Sequence, residues 1–498
     1  MAKRLTAILL LALTLLGSVS CASDEGTQQS ADTTGTAIDT AADTEAEETR
    51  VTPDIPMEGV DYEGQEFKFI HWFVNGWDHR RNKDIYAEAE NGDVINDAVL
   101  KRNRIVEERY DVKITLMEEA HDAIQTTIKN QVRMGEHNYD VSYLRMTDIG
   151  AMLADGNFLD LNLLEHVDFS KPWWDQRSVE DISINNKLYL VATDINVIDK
   201  DATAAMAFNK QMADDLQLPN LYEAVHNGKW TMDYLMENFK TASQDVNGDQ
   251  KMDENDIWAF LGKNDVLMSF FEGAGGRFCT KDDEDLPVLS FESEKNYAIV
   301  EKIFEIIFDE DNFINQHATP ALNEDSVFEQ LFPNGHGLFY WMRLDLVTQM
   351  RSTETDFGIL PIPKYDEAQE NYESYVSIHT GGLLSVPTTA ATDPANLERI
   401  GLILEALAAE SKYTVMPAYY ETALKTKGAR DDESEAMLDL IFANRTFDIG
   451  DIFGFGGMAG AFQNLAKSGQ TEIASFYAKQ EKSAQKALDK FVDKVLSE

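Results

Sequence analysis

The sequence predicts an α/β fold built on a largely parallel sheet covered by helices on both faces, and three observations carry that prediction. Beyond residue 60, runs of strand length alternate with longer runs in which apolar residues recur at helical spacing. The alternation repeats as a βαβ rhythm, which places parallel strands beneath crossover helices. The length beyond that point, about 440 residues in a chain with 43% hydrophobic residues, is enough for a large core in two or more lobes.

The elements follow in order. "FKFIHWFV" (67–74) is apolar enough for a buried strand. Asp93 is placed to cap a helix in which Val94, Ala98, Ile105 and Val106 fall on one side, and "DVKITLM" (111–117) alternates as a second strand. An amphipathic helix from Ala123 to Met134 leads into "YDVSYL", and a further helix leads to "GNFLDL". "KLYLVATD" and "ATAAMAFNK" continue as strands, followed by "HGLFYWM", "DFGILPIP" and "GGLLSVP". Long helical runs, "LERIGLILEALAAES", "ESEAMLDLIFA" and "IASFYAKQEKSAQKALDKFVDKVLS", complete the chain, and no internal repeat is present.

The first residues concern location. Lys3 and Arg4 precede an uncharged, largely apolar run from Leu5 to Leu16, too short to span a bilayer and proportioned as a secretory signal peptide. Small residues then run into Cys21, an ending that resembles a bacterial lipobox, in which the cysteine becomes the lipidated first residue. Ser18, Val19 and Ser20 depart from the usual order of that motif. Lipidation of Cys21 leaves Cys279 without a partner, so no intrachain disulfide is expected. From Ala22 to about residue 60 the chain is acidic and nearly free of large apolar residues, the composition of a disordered tether. About 35 such residues have a root-mean-square reach of roughly 30 to 35 Å. No second run approaches the length of a membrane span.

The formal charge is −45, and −47 once Lys3 and Arg4 are removed. That excess argues against nucleic acid, which needs a basic footprint, and favours neutral or cationic solutes.

"YDVSYLRMTDIGAMLADGNFLDL", "LVATDINV", "AFNKQMADDLQLPNLYEAVHNGKWTMDYL" and "DFGILPIPKYDEAQENYES" resemble, in this order, the family 1 extracellular solute-binding proteins. "ILEALAAESKYTVMPAYYETALKTKGARDDES" resembles the large form found in Clostridia and their relatives. The resemblance runs from about Tyr62 to the C-terminus. It implies the two-lobed periplasmic-binding-protein-like fold of type II, with a ligand cleft between lobes joined by crossing strands. The lobes are then expected at 61–193 plus 376–440 and at 194–375 plus 441–498. It also implies a monomeric, lipid-anchored receptor at the outer face of the cell membrane that passes a sugar, expected to be an oligosaccharide, to the permease of an ABC importer.

In such sheets ligands sit beyond the carboxyl ends of the strands. The candidate ligand residues are therefore Trp72 and Trp77 after the first strand, Arg145, Thr147 and Asp148 in "YLRMTD", Asp194 in "ATDIN", and Trp341 and Arg343 in "FYWMRLD". Trp174 from "KPWWDQ" and Tyr419 from "MPAYYETAL" join them. The mixture suits a sugar, whose C–H faces stack on aromatic rings while its hydroxyls need directed donors and acceptors. Core packing is the competing role for every one of these aromatics. Trp230, by contrast, is read as structural: Thr231 can cap the following helix with Trp230 packed before it as a staple.

"DVNGDQKMDEND" places Asp245, Asn247, Asp249, Lys251 (through its carbonyl), Asp253 and Asp256 at the spacing of an EF-hand-like calcium loop. Gln250 stands where glycine normally makes the turn, and Asp256 replaces the longer glutamate. A weak structural Ca²⁺ site is expected, with no paired hand to make it a sensor. There is no GxSxG, HExxH or phosphate-binding glycine loop, so no enzyme is expected. A secreted lipoprotein glycoside hydrolase is the alternative from another class.

Overall fold

In chain order the strands of the computed structural model are β1 (Gln65–Phe73), β2 (Val112–Ala120), β3 (Val141–Arg145), β4 (Ala204–Asn209), β5 (Trp258–Gly262), β6 (Cys279–Lys281) and β7 (Pro287–Leu289). They continue with β8 (Phe313–Asn315), β9 (Gly337–Arg343), β10 (Phe357–Leu360), β11 (Ser374–Tyr375), β12 (Gly382–Ser385) and β13 (Arg445–Thr446). The structure describes residues 50–74, 84–315, 331–350, 355–424 and 432–497. Trp77, Cys21, the signal-like run and residues 22–49 lie outside them, whereas the end of the expected tether is ordered: Ile55 packs in the first-lobe core and the Pro56 carbonyl accepts the Tyr110 hydroxyl at 2.8 Å, which shortens the tether from the predicted residue 60. Among the described residues no helix is long and apolar enough to cross a membrane.

The first lobe is built on a sheet in the order β12-β3-β1-β2. β1 pairs in parallel with β2 and β3, and β12 pairs antiparallel with β3. Phe67, Phe69, Ile70 and Trp72 of β1 are all buried, as expected for a strand covered on both faces. The helix Val94–Tyr110 starts where Asp93 accepts the amides of Ile95 and Asn96. The helix Ile124–Met134 stops at Gly135, whose φ of 70° lets its amide turn back to the carbonyls of Gln131 and Val132.

The second lobe has the order β10-β4-β9-β5-β8. β5 is parallel to β8 and β9, whereas β4 is antiparallel to β9 and β10. Both sheets are therefore mixed where the sequence predicts a largely parallel arrangement. β4 and β12 are the strands that follow a passage from one lobe to the other, so they enter their sheets from the joint and run away from it. Their neighbours from βαβ units run towards it. "KLYLVATD" does not form a regular strand. It makes isolated bridges, Val191 with Leu384 and Thr193 with Trp174.

Trp230 is fully buried against Phe339 and donates its indole N–H to the Pro361 carbonyl, while Thr231 caps the helix Met232–Glu237 by accepting the Tyr234 amide.

Three passages join the lobes and lie side by side. Thr203 bridges Val376, and β11 pairs with β13 in parallel. The C-terminal region serves both lobes. Phe462, Phe476 and Tyr477 enter the core that holds Phe339 and Trp341, whereas Leu488, Phe491 and Val495 enter the one that holds Ile70 and Trp72. The helix Asp432–Ala443, placed in the first lobe by sequence up to residue 440, sets Leu438 and Ile441 against Tyr340 and Phe357 of the second sheet.

Candidate functional site

The carboxyl ends of β1, β3, β5, β8 and β9 and the amino ends of β4 and β12 converge on the joint between the lobes. A polar lining results, because backbone turns there cannot be covered by helices on both sides.

After β3, a single turn carries three of the expected residues. Arg145 Nη2 and Thr147 Oγ1 both donate to Asp148 Oδ1 at 3.3 Å. Arg145 Nε and Asp148 Oδ2 are buried without a hydrogen-bond partner among the described residues. The turn is held by Met146 and Thr147, whose amides donate to the carbonyls of Gly381 and Ile378. From the second lobe, Arg343 at the end of β9 is buried with its Nε 3.3 Å from Asp345 Oδ1.

His379 is exposed at the tip of the turn Ser377–Thr380. Loss of water on its protein side lowers the imidazole pKa; Asp265 opposes this, Arg145 lowers it further, a Gln463 hydrogen bond raises it and Arg343 lowers it again. The imidazole thus lies within electrostatic reach of an arginine from each lobe. Gln463 also donates to Asp265 Oδ1 at 3.3 Å.

A second polar group lies along the first passage. Asp194 is buried with Oδ1 3.3 Å from Lys200 Nζ and Oδ2 4.0 Å from Lys412. Burial pushes its carboxyl pKa up against the pull of Lys200 and Lys412. Tyr419 donates to Asp201 Oδ1 at 3.0 Å. Burial, then the nearby Asp345, raise Asp201 to about 8.

The aromatic candidates lie differently from the expected stacking platforms. Trp72, Trp174, Trp341 and Tyr419 are each no more than 2% exposed and present no open ring face. Trp72 lies beneath the Arg145 guanidinium. Trp174 packs on Phe169 and donates to Glu405 Oε2 at 2.9 Å, a carboxyl that burial raises to about 7. Trp341 joins the core beneath the second sheet with Phe339, because the covering helices fall on the face that these two alternating residues share. The structure therefore brings Arg145, Thr147, Asp148, Asp194 and Arg343 to the joint as polar groups and puts the aromatics behind them. Sequence reasoning missed Lys200, Asp265, His379 and Gln463. Asp265 follows β5 in "LGKND" and was within reach of the same strand-end rule; His379 and Gln463 had no such signal.

The loop Asp245–Asp256 lies far from this lining in sequence and role. Gln250 takes the left-handed turn at φ 66° that glycine would normally make. Asp245 accepts the amides of Gly248 and Gln250, and the fully buried Asp256 accepts those of Val246 and Asp253. The donor set is all oxygen, which fits a hard cation. Among the described residues, however, no three His, Cys, Asp or Glu side chains are grouped to hold a metal. Calcium would have to draw Asp245, Asp249 and Asp253 inward.

No protein-family model matches this sequence, and no curated protein does. Solved structures do match. An ABC substrate-binding protein of Listeria monocytogenes in complex with cycloalternan has 12% identity and a TM-score of 0.51, covering 87% of this chain and 98% of its own. A cyclo/maltodextrin-binding protein complexed with maltotetraose has 14% identity and a TM-score of 0.52, covering 88% and 98%. UgpB of Mycobacterium tuberculosis in complex with glycerophosphocholine has 15% identity and a TM-score of 0.53, covering 79% and 95%. At these identities the likeness is one of architecture, and on it this chain has the two-lobed periplasmic-binding-protein-like fold.

Proposed function

We propose that this protein is an extracellular solute-binding receptor, that its ligand is a carbohydrate held between the lobes, and that it delivers that carbohydrate to the permease of an ABC importer. The observation that carries the reading is the chemistry of the joint. A buried donor (Arg145 Nε), buried acceptors (Asp148 Oδ2, Asp194 Oδ2) and the Thr380 hydroxyl, which can act as either, lack hydrogen-bond partners among the described residues, with Lys412 4.0 Å from Asp194 Oδ2. An anionic ligand would answer only the donors and a cation only the acceptors. Hydroxyl groups, which donate and accept, answer both. Two structural neighbours hold oligosaccharides and one holds glycerophosphocholine, so hydroxyl-rich ligands recur on this architecture. The signal-like start and Cys21 support a lipid-anchored monomer at the outer face of the cell membrane, and the acidic segment before about residue 50 supports a tether.

The test is to identify the solute that copurifies with the protein by mass spectrometry and to screen the protein on a glycan array. A carbohydrate recovered intact after prolonged incubation supports the receptor reading. Cleaved product would move the assignment to the glycoside hydrolase, and a non-carbohydrate solute would overturn the ligand class.

A further inference from the structure

A hairpin of the second lobe reaches across the joint and is fastened to the first. β6 and β7 pair antiparallel, Cys279 with Leu289 and Lys281 with Pro287, and the Asp282 amide closes the turn between them on the Leu286 carbonyl at 3.0 Å. The roots belong to the second lobe. Phe278 and Phe291 stack there with ring centroids 5.4 Å apart, in the core that holds Phe339. The hairpin then leaves that core, and Cys279 and Leu286 pack instead in the one that holds Ile70, Trp72, Ile182 and Ile184.

The first lobe meets the tip of the hairpin with a two-residue turn. Ile184 and Lys187 exchange backbone hydrogen bonds at 2.9 and 3.0 Å around Asn185 and Asn186, whose φ angles of 53° and 58° are those of a type I′ turn. One residue of the hairpin takes both asparagine amides. The Asn185 amide donates to the Asp285 carbonyl at 2.9 Å, and the Asn186 amide to Asp285 Oδ2 at 2.8 Å. Lys281 closes the other side, donating from Nζ to the Glu180 carbonyl, to Ser183 Oγ at 2.7 Å and to Asp285 Oδ1 at 2.8 Å. An ammonium has three N–H bonds, and here each has an acceptor. The Ser183 hydroxyl in turn donates to Asp285 Oδ1 at 3.1 Å.

We propose that the β6–β7 hairpin is a clasp between the lobes: it holds them in the relation described here, and its contacts with residues 180–186 must let go for the lobes to turn about the passages. Its roots are doubly fixed, by the phenylalanine core and by Asp448 of the third passage, which accepts the amides of Phe278 and Cys279 at 2.5 and 3.3 Å. Packed cores do not deform continuously, so a turn of one lobe against the other that keeps both cores intact has to be taken up where the tip meets the first lobe. The bonds there are polar and lie at the edge of the joint: the side chains of Lys281 and Asp285 are 19% and 20% exposed, so water can replace their partners.

Beside the clasp, a pocket of about 250 Å³ is lined by Glu180, Asp181, Cys279, Lys281 and Phe447. Cys279 is 5% exposed, and burial, then the nearby Asp448, holds its thiol above the ordinary range. It therefore stays unreactive while the hairpin is seated and reports its release.

That solute drives the turn rests on the receptor reading, but the clasp is tested without any solute. The chain has two cysteines, so Cys21→Ser leaves Cys279 as its one thiol. In that background Lys281→Met should speed the reaction of Cys279 with dithiobis(nitrobenzoate) by about tenfold or more, the loss of one charge-assisted hydrogen bond. Ser183→Ala, on the opposite lobe, should speed it by a smaller factor. Both rates should depend weakly on urea, because a local opening exposes little surface. Unchanged rates in both variants overturn the clasp, as does a faster rate with the steep urea dependence of global unfolding. Small-angle scattering of the ligand-free chain should also differ between Lys281→Met and its background; a faster thiol with an identical profile would mean that the hairpin lifts without freeing the lobes, and overturns the restraint. Should Lys281→Met not fold, Ser183→Ala, which removes a single hydroxyl, decides both measurements. With the tightest glycan of the array as probe, saturation should change the thiol rate of the Cys21→Ser chain several-fold, and an equal rate with and without glycan overturns the coupling to binding. If no glycan binds and no solute copurifies, the receptor reading fails and the coupling with it, while the clasp stands or falls on the thiol and scattering results.

Discussion

The Arg145 guanidinium lies over the face of Trp72, 6.0 Å from the ring centroid. Trp72 is 1% exposed, and its Nε1 lies close against Gly382 of β12, where a Cβ would stand 3.4 Å away, so the ring forms a buried floor beneath Arg145. Trp72→Ala should cost about 3 to 5 kcal/mol in folding through the cavity it leaves. It should also weaken solute binding roughly tenfold, since Arg145 loses its seat. Denaturant unfolding and calorimetric titration of the same preparation measure the two effects, and unchanged affinity would show that Arg145 does not depend on this floor.

Trp341 provides the contrast. It packs beside Phe339 in the second-lobe core, away from the polar turns. Trp341→Ala should lose about 3 to 5 kcal/mol of stability while the surviving folded fraction keeps its affinity. A several-fold loss of affinity with little loss of stability would return Trp341 to the ligand site.

These two tryptophans mark how far the sequence could be read. Strand position was legible: "FKFIHWFV" and "HGLFYWM" became β1 and β9, and Asp93 and Thr231 cap helices as their spacing predicts. Which strand face is covered was not legible, because alternation assigns residues to a face without saying what packs on it. The joint was the least legible part. Tyr375, Arg445 and Asp451 look like ordinary polar residues near loops, and they acquire partners only when passages more than 60 residues apart in the chain are laid side by side.

Asp140 links the first lobe to acid. Arg399 Nη2 lies 2.5 Å from its Oδ1, His137 is 3.0 Å away, and Oδ2 accepts the Lys68 amide at 2.8 Å. Burial alone would raise this carboxyl, but His137, Arg399 and the Lys68 amide together hold it below its ordinary 3.8. With the folded pKa depressed, the stabilisation is fully present above the ordinary value and is lost as pH falls through the folded one. Arg399→Met should therefore destabilise the protein by about 3 to 5 kcal/mol at neutral pH, because it leaves a buried charge unpaired. The gap between variant and wild type should narrow below about pH 4, where Asp140 takes a proton. Urea unfolding at both pH values measures it, and a gap independent of pH would rule out the pair as its source.

The Asp245–Asp256 loop gives a prediction for calcium. With a dissociation constant of roughly 10⁻⁴ M, typical of extracellular modules, millimolar calcium should stabilise the protein by about 1.4 kcal/mol. The melting temperature should rise by about 1 to 2 °C, and Asp245→Asn should abolish the rise. Solute affinity should not change, since the loop supplies none of the lining. Loss of affinity on chelation would mean that the loop is coupled to the joint.

Arg445 ties the third passage to the first. Its Nη1 donates to Asp199 Oδ2 at 2.5 Å and its Nη2 to Asp175, while its guanidinium lies 5.8 Å from the ring centroids of both Phe442 and Phe447. Asp175 belongs to the first lobe and Asp199 to the first passage, so one planar fork fixes three chain segments at the line about which the lobes would turn. A lysine carries the same charge but cannot address both carboxylates in one plane or stack between two rings. Arg445→Lys should thus leave one carboxylate buried and underpaired, at a cost of about 2 to 4 kcal/mol in folding. The lobes should also lose their fixed relation, which small-angle scattering of the ligand-free chain would show as a larger radius of gyration than wild type. An unchanged scattering profile with reduced stability would make Arg445 a packing residue and leave the orientation of the lobes to the remaining two passages.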